Sequence, residues 1–170
     1  MAIRGDYSAL RTMADRIGKV GGAGGVDKLR KNLAATALKL IADEFRGQKD
    51  PYGQSWRSLA PSTVAGRRKG KKKGGAKILQ NTGRLRASFG TTSKGLGFVV
   101  SSKVSYAPPH QYGAKLKRRN AGVRGLLQRK RTVGAIPRRM MVPDSKQGLG
   151  PIWQKAFEKT AMSVLVSLRP

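Results

Sequence analysis

The chain has 170 residues, with 36 Lys and Arg against 8 Asp and Glu and no cysteine. The formal charge is +28 and aromatics make up only 6%. This composition excludes disulfides and thiol chemistry. It also points to one domain (1–170) that is long enough to bury a core.

The acids are unevenly placed. They are Asp6, Asp15, Asp27, Asp43, Glu44, Asp50, Asp144 and Glu158, so Pro51 to Pro143 has no carboxylate but 22 Lys and Arg. Such a segment repels itself unless a polyanion or an acidic partner neutralises it. Nucleic acid is the first candidate. The competing reading is a solvated basic surface with no specific partner. No apolar run reaches the roughly 18 residues of a membrane span. The first residues, MAIRGDYSALR, lack the apolar stretch of a signal peptide. A cytoplasmic site of synthesis is expected.

In chain order, Leu10, Met13, Ile17 and Val20 mark one face of a helix over 7–20. GGAGG at 21–25 ends it as a hinge. A second helix, from Val26 to Arg46, carries Leu29, Leu33, Ala37, Leu40, Ile41 and Phe45, and Gly47 suits its C-cap. QKDPYGQSW is a turn that delivers Trp56. A short helix can start near Ser62 or Thr63, but GRRKGKKKGG (66–75) has too much charge and glycine to fold unaided. ILQNTGRLRASF (78–89) reads as an apolar lead-in, a turn and a short helix with Leu85 and Phe89. GFVVSS (97–102) and VSYA (104–107) are β-type runs, so two or three antiparallel strands are expected between 88 and 108.

YAPPHQYG (106–113) contains the only histidine, His110. Its two prolines predict an extended turn that ends a strand, with Gly113 as the exit. His110 and Gln111 are expected to pin this corner by hydrogen bonds, and Tyr106 to pack its ring there. Residues 114–135 carry eight Lys and Arg and read as a basic arm. IPRRMMVPD (136–144) is extended, because each proline biases its predecessor away from helix. Pro151 opens a final helix to about residue 168, with Ile152, Trp153, Ala156, Phe157, Ala161, Val164, Leu165 and Leu168 at helical spacing. The expected fold class is α+β: a small antiparallel sheet against two to three helices, with flexible basic segments at 66–75 and 114–135. Trp56, Phe89, Val99, Trp153 and Phe157 are expected in or near the core.

No catalytic constellation is legible. The basic middle offers no carboxylate pair for acid–base work and no acids to hold a metal. One histidine without cysteine cannot build a structural zinc site. GRRKGKKKGG lacks the spacing of a phosphate-binding P-loop. We therefore expect no enzyme, no catalytic or metal-binding residue and no cofactor. With so few aromatics a base-stacking platform is not expected either, so any DNA contact is to phosphates. The residues offered for contact with DNA or a partner are Arg67, Arg68, Lys69, Lys71, Lys72 and Lys73 in the first basic segment. In the second they are Lys115, Lys117, Arg118, Arg119, Arg129, Lys130 and Arg131.

Four short stretches occur in a fixed order: GQSWRSLAPST, ILQNTGRLRAS, YAPPHQYG and IPRR. In this order they resemble the phage virion morphogenesis family of tail-completion proteins. The resemblance runs over roughly Gly53 to Asp144 and singles out Trp56, Thr82, Gly83, Tyr106, His110, Gln111, Gly113, Pro137 and Arg139 as structural motif residues. It implies a non-enzymatic virion protein at the neck or tail top of a tailed phage, made in the host cytoplasm. It also implies a homo-hexameric ring around the DNA channel, beside neck, tail-terminator or tail-tube proteins, with no membrane partner. The number of charges between the third and fourth stretches departs from the family pattern. The competing class is a sequence-independent nucleic-acid-binding protein of nucleoid or ribosome-associated type.

Overall fold

The computed structural model describes residues 8–69, 77–95, 97–115 and 135–168. The first element, α1 (Ser8–Gly47), is not a straight rod. Gly22 leaves helical geometry (φ 55°, ψ −149°), a combination open to glycine. A Cβ placed on Gly18 would meet Val26 Cγ2 at 3.7 Å. Eight residues of straight helix span about 12 Å, so the chain folds back at Gly22. The two expected helices are present as antiparallel arms, and the glycine run is their hinge.

After α1, a tight loop (48–56) is organised by Asp50, whose Oδ1 accepts the N–H groups of Tyr52 (2.9 Å) and Gln54 (2.8 Å). α2 (Pro61–Lys69) follows, with Pro61 as first residue rather than Ser62 or Thr63 as cap. The Ala60 carbonyl accepts from Thr63 and Val64. Gly66–Lys69, expected in a flexible segment, form the last turn of this helix. α3 (Arg84–Ala87) is short and contributes the buried Leu85.

β1 (Phe89–Lys94) and β2 (Gly97–Ser102) form an antiparallel hairpin in the register Phe89↔Ser102 to Lys94↔Gly97. Phe89 thus opens a strand instead of closing a helix. The strand expected at 104–107 is a turn leading into α4 (Ala107–Tyr112). The prolines that suggested an extended corner sit in the first turn of this helix, where an amide N–H has no intrahelical partner to lose. β3 (Ala114–Lys115) pairs with β4 (Ala135–Ile136), so a two-residue ladder closes the base of the expected basic arm. α5 (Pro151–Val166) completes the chain. Among the described residues, five helices and two small antiparallel sheets bear out the α+β expectation.

α5 runs antiparallel to the second arm of α1. Trp153 reaches Glu44, Thr160 reaches Thr36 and Leu168 packs at Gly21 and Gly25. The hairpin covers this layer with Phe98, set edge-on to Phe157 at 6.3 Å, and with Phe89, 6.0 Å from Phe45. Trp56, Trp153 and Phe157 are buried as expected. Val99 is not: it is 43% exposed, because strand alternation turns Phe98 and Val100 inward and Val99 outward. Among the described residues no helix is long and apolar enough to cross a membrane.

One buried acid joins the two main helices. Glu44 is 9% exposed, its Oε1 accepts Trp153 Nε1–H at 2.6 Å, and Oε2 has no partner among the described residues. Burial pushes its carboxyl up to about 8, partly opposed by the Trp153 hydrogen bond and assisted by the charge of Asp50. The ordinary value is 4.5. Between the two values the folded chain holds a proton that the unfolded chain has lost. Stability from this group is therefore complete below 4.5, falls as pH rises towards 8 and is flat above. Its slope inside that window is at most about 1.4 kcal/mol per pH unit. Glu44→Gln keeps an acceptor for Trp153 and removes the titration. Denaturant unfolding at pH 5, 7 and 9 should show a flatter pH profile for the variant and a net gain in stability at pH 9. An unchanged profile would contradict the buried, protonated carboxyl.

Candidate functional site

The residues from Pro137 to Val142 belong to no helix or strand and bend at Met141 and Val142, so side chains must satisfy their backbone. Trp56 Nε1–H donates to the Met140 carbonyl at 2.8 Å. Gln111, 5% exposed, accepts the amides of Met141 (2.8 Å) and Val142 (3.3 Å) at Oε1 and donates Nε2–H to the Val142 carbonyl at 2.7 Å. The Arg139 amide donates to the His110 carbonyl at 2.7 Å. The Arg139 side chain turns the other way: Nε and Nη2 donate to the Arg57 carbonyl at 3.0 and 2.9 Å, and Nη2 also reaches Ser58 at 3.3 Å. The fourth motif is thus held to the first and the third by hydrogen bonds.

Above this segment opens a cleft of about 1320 Å³. One wall is Trp56 to Pro61 with Thr63 and Arg67 of α2, and another is Leu79, Asn81, Thr82 and Leu85. Tyr106, His110, Ala135, Ile136, Pro137 and Arg139 complete it. Six of the nine motif residues line this one space: Trp56, Thr82, Tyr106, His110, Pro137 and Arg139. Of the other three, Gln111 lies behind the floor, and Gly83 (φ 74°) and Gly113 (φ 77°) are turn positions at the rim elements. A Cβ on Gly113 would press on the Ile136 carbonyl at 3.3 Å, in a backbone conformation side chains rarely adopt.

The cleft is cationic. Arg57, Arg67 and Arg139 line it, and no carboxylate does. Arg139 is 6% exposed, and its pKa falls below the ordinary arginine value, through burial first and then the charges of Arg57 and Arg67. It remains protonated, as arginine does in proteins. His110 is held below its ordinary value by burial and then by the charge of Arg139, so its ring is neutral at physiological pH. Its Nδ1 is buried without a hydrogen-bond partner among the described residues, and its ring meets Tyr106 edge-on at 6.2 Å. The expected pinning role therefore falls to the Gln111 side chain and the His110 carbonyl, not to the imidazole. Arg138 points elsewhere and pairs with Asp144 at 2.6 Å.

Each basic segment has a described residue in the lining of this cleft. Arg67 lines it two residues before the end of α2, and Ala135 and Ile136 line it where the arm rejoins the fold. Lys115 is exposed in β3, and Arg68 and Lys69 belong to the last turn of α2. Lys71, Lys72, Lys73, Lys117, Arg118, Arg119, Arg129, Lys130 and Arg131 lie outside the described residues. Sequence reasoning missed Arg57 and Asn81. Arg57 had one signal: it directly follows Trp56, whose wall it shares. Among the described residues no group of three His, Cys, Asp or Glu is placed to hold a metal. The cleft offers fixed positive charge, hydrogen-bond donors and apolar walls, which suits binding.

Two substitutions separate the roles of neighbours. Gln111→Ala leaves the Met141 and Val142 amides and a carbonyl unsatisfied, and should cost about 2–4 kcal/mol. His110→Asn removes no side-chain hydrogen bond seen here and should cost less than about 1 kcal/mol. Denaturant unfolding of both variants checks this, and a reversed order would assign the pinning role to the imidazole.

A family model for the phage virion morphogenesis family matches residues 6–158. No curated protein matches the chain, and no solved structure does. The matched span takes in all four sequence motifs and the cleft they build, and it extends through both arms of α1 to the first half of α5. The chain belongs to the phage virion morphogenesis family, whose role is in building the phage particle.

Proposed function

We propose that this protein completes the tail and joins head to tail, as a ring of six copies around the DNA channel at the neck or tail top, without enzymatic activity. The observation that carries the reading is the convergence of the family's four motifs on one cationic binding cleft. A hydrolase or transferase would concentrate its motifs around acids, nucleophiles or metal ligands. Here they hold backbone and present arginines.

Charge arithmetic limits what the ring does with its lysines and arginines. A chain of this length packs to a thickness of about 40 Å. Duplex DNA carries one charge per roughly 1.7 Å, so the enclosed length holds about 24 negative charges. Six copies of +28 carry 168. The lumen uses a fraction of that, and the remainder faces acidic surfaces of neighbouring virion proteins or solvent. Lys71, Lys72, Lys73 and the lysines and arginines of 115–131 are assigned to DNA or partner contact on this basis.

The excess of positive charge also favours a second reading, a sequence-independent nucleic-acid-binding protein. One experiment addresses both. Native mass spectrometry and electron microscopy of the protein within isolated tails should show six copies in a closed ring. Monomers or open chains there would remove the ring. Free chain should bind unrelated duplexes equally, with affinity falling about 10³-fold or more between 50 and 200 mM salt if six or more phosphates are contacted. Such binding without any presence in the particle would favour the second reading.

A further inference from the structure

Arg139 is a cation without a counter-ion among the described residues. It is 94% buried, and its side-chain hydrogen bonds go to carbonyls, on Arg57 and Ser58. The ion pairs among the described residues use Arg30, Arg46 and Arg138 instead. Leaving a buried charge unpaired is costly, and proteins avoid it. Among the described residues no carboxylate lines the cleft. Residues 70–76 and 116–134 contain no Asp or Glu. Beside Arg139 a second polar atom, His110 Nδ1, is buried without a partner among the described residues. Arg57 and Arg67 add positive charge at the same space.

We propose that this cleft is the docking site for an acidic segment of another polypeptide, one of whose carboxylates pairs with Arg139. The inference deepens the assembly reading by giving the chemistry of one neighbour in the particle. The walls favour a peptide over DNA. Leu59, Leu79 and Ile136, all half-buried, offer apolar surface that a peptide's side chains can cover. A duplex about 20 Å wide presents its phosphates on a convex surface and cannot lower them to a guanidinium buried at the floor. A second copy of this chain is a poor occupant too. Asp43 and Glu44 are its one adjacent pair of acids, and Glu44 is buried; the other acids stand apart in the sequence. The occupant is therefore a different protein with two or more acids close together on an extended stretch. Its carboxylate sits against Arg139 and within reach of Arg57, where bidentate pairing with a guanidinium is available.

The single histidine makes a reporter, because its imidazole gives one unambiguous NMR signal. In the cleft it faces Arg139, Tyr106 and the space shared with Arg57 and Arg67. The test titrates His110 in the full chain at 150 mM salt, where charges beyond about 8 Å are screened. The additions are a glutamate decapeptide and, separately, a 20-base-pair duplex of arbitrary sequence. Docking of the decapeptide should raise the midpoint of the His110 titration by about one pH unit, a tenfold change in protonation. The duplex should bind and leave the midpoint in place. Arg57→Gln, at an exposed side chain, should at least halve the decapeptide's effect. The proposal falls if the decapeptide leaves the midpoint unmoved, if the duplex moves it equally, or if the effect survives unchanged in Arg57→Gln. None of these outcomes bears on ring formation, which is read in assembled tails.

Discussion

The structure depends on one backbone segment that belongs to no sheet. Pro137 to Val142 is irregular, with a bend at Met141 and Val142, and its amides and carbonyls need partners that no neighbouring strand provides. Side chains from distant parts of the sequence provide them. Trp56 must donate one N–H, and an indole does this while burying a large apolar surface. Gln111 must accept and donate at once, which a carboxamide can do and a carboxylate cannot. Arg139 must reach two carbonyls of the 57–58 turn with one planar group. The residue types in the motifs follow from these demands. So does the cleft, because the same bonds fix the distance between the Trp56 turn, α4 and the strand at Ala135.

Much of the helical layer was legible in the sequence. Apolar periodicity placed both arms of α1 and α5, and the glycine run located the fold-back, because only glycine enters the Gly22 conformation freely. The misreadings had local causes. Prolines at 108 and 109 exclude a helix interior, but they fit a first turn equally well, and the sequence alone does not say which applies. Val99 has the right chemistry for a core, yet its neighbours Phe98 and Val100 took the inward face. The cleft was less legible. Six motif residues were identified without their common location, because four stretches spread over 87 residues, from Gly53 to Arg139, meet only in three dimensions. Arg57 was missed as a site residue because its place directly after Trp56 is the one local feature that sets it apart from the other basic residues.

The charge of the chain serves more than one purpose. Most of the described lysines and arginines are exposed. Arg139 is different: it is inside, fixed by carbonyls, and unpaired by any acid among the described residues. Glu44 is the opposite case, a buried acid that keeps its proton and bridges the two main helices through Trp153. One group holds the fold together as a neutral donor–acceptor pair. The other presents a charge for something outside the chain.

That difference ties the fold to the role of the family in building the particle. The motifs first stabilise an irregular segment, and through it they present an arginine-lined cleft to a neighbour. The most direct measurement is a cryo-electron microscopy map of the assembled phage at side-chain resolution, read at the cleft between Arg57, His110 and Arg139. The account predicts protein density from a different subunit there, with an acidic side chain against the Arg139 guanidinium. A cleft open to solvent in the finished particle, or one facing DNA with no protein in it, would contradict it.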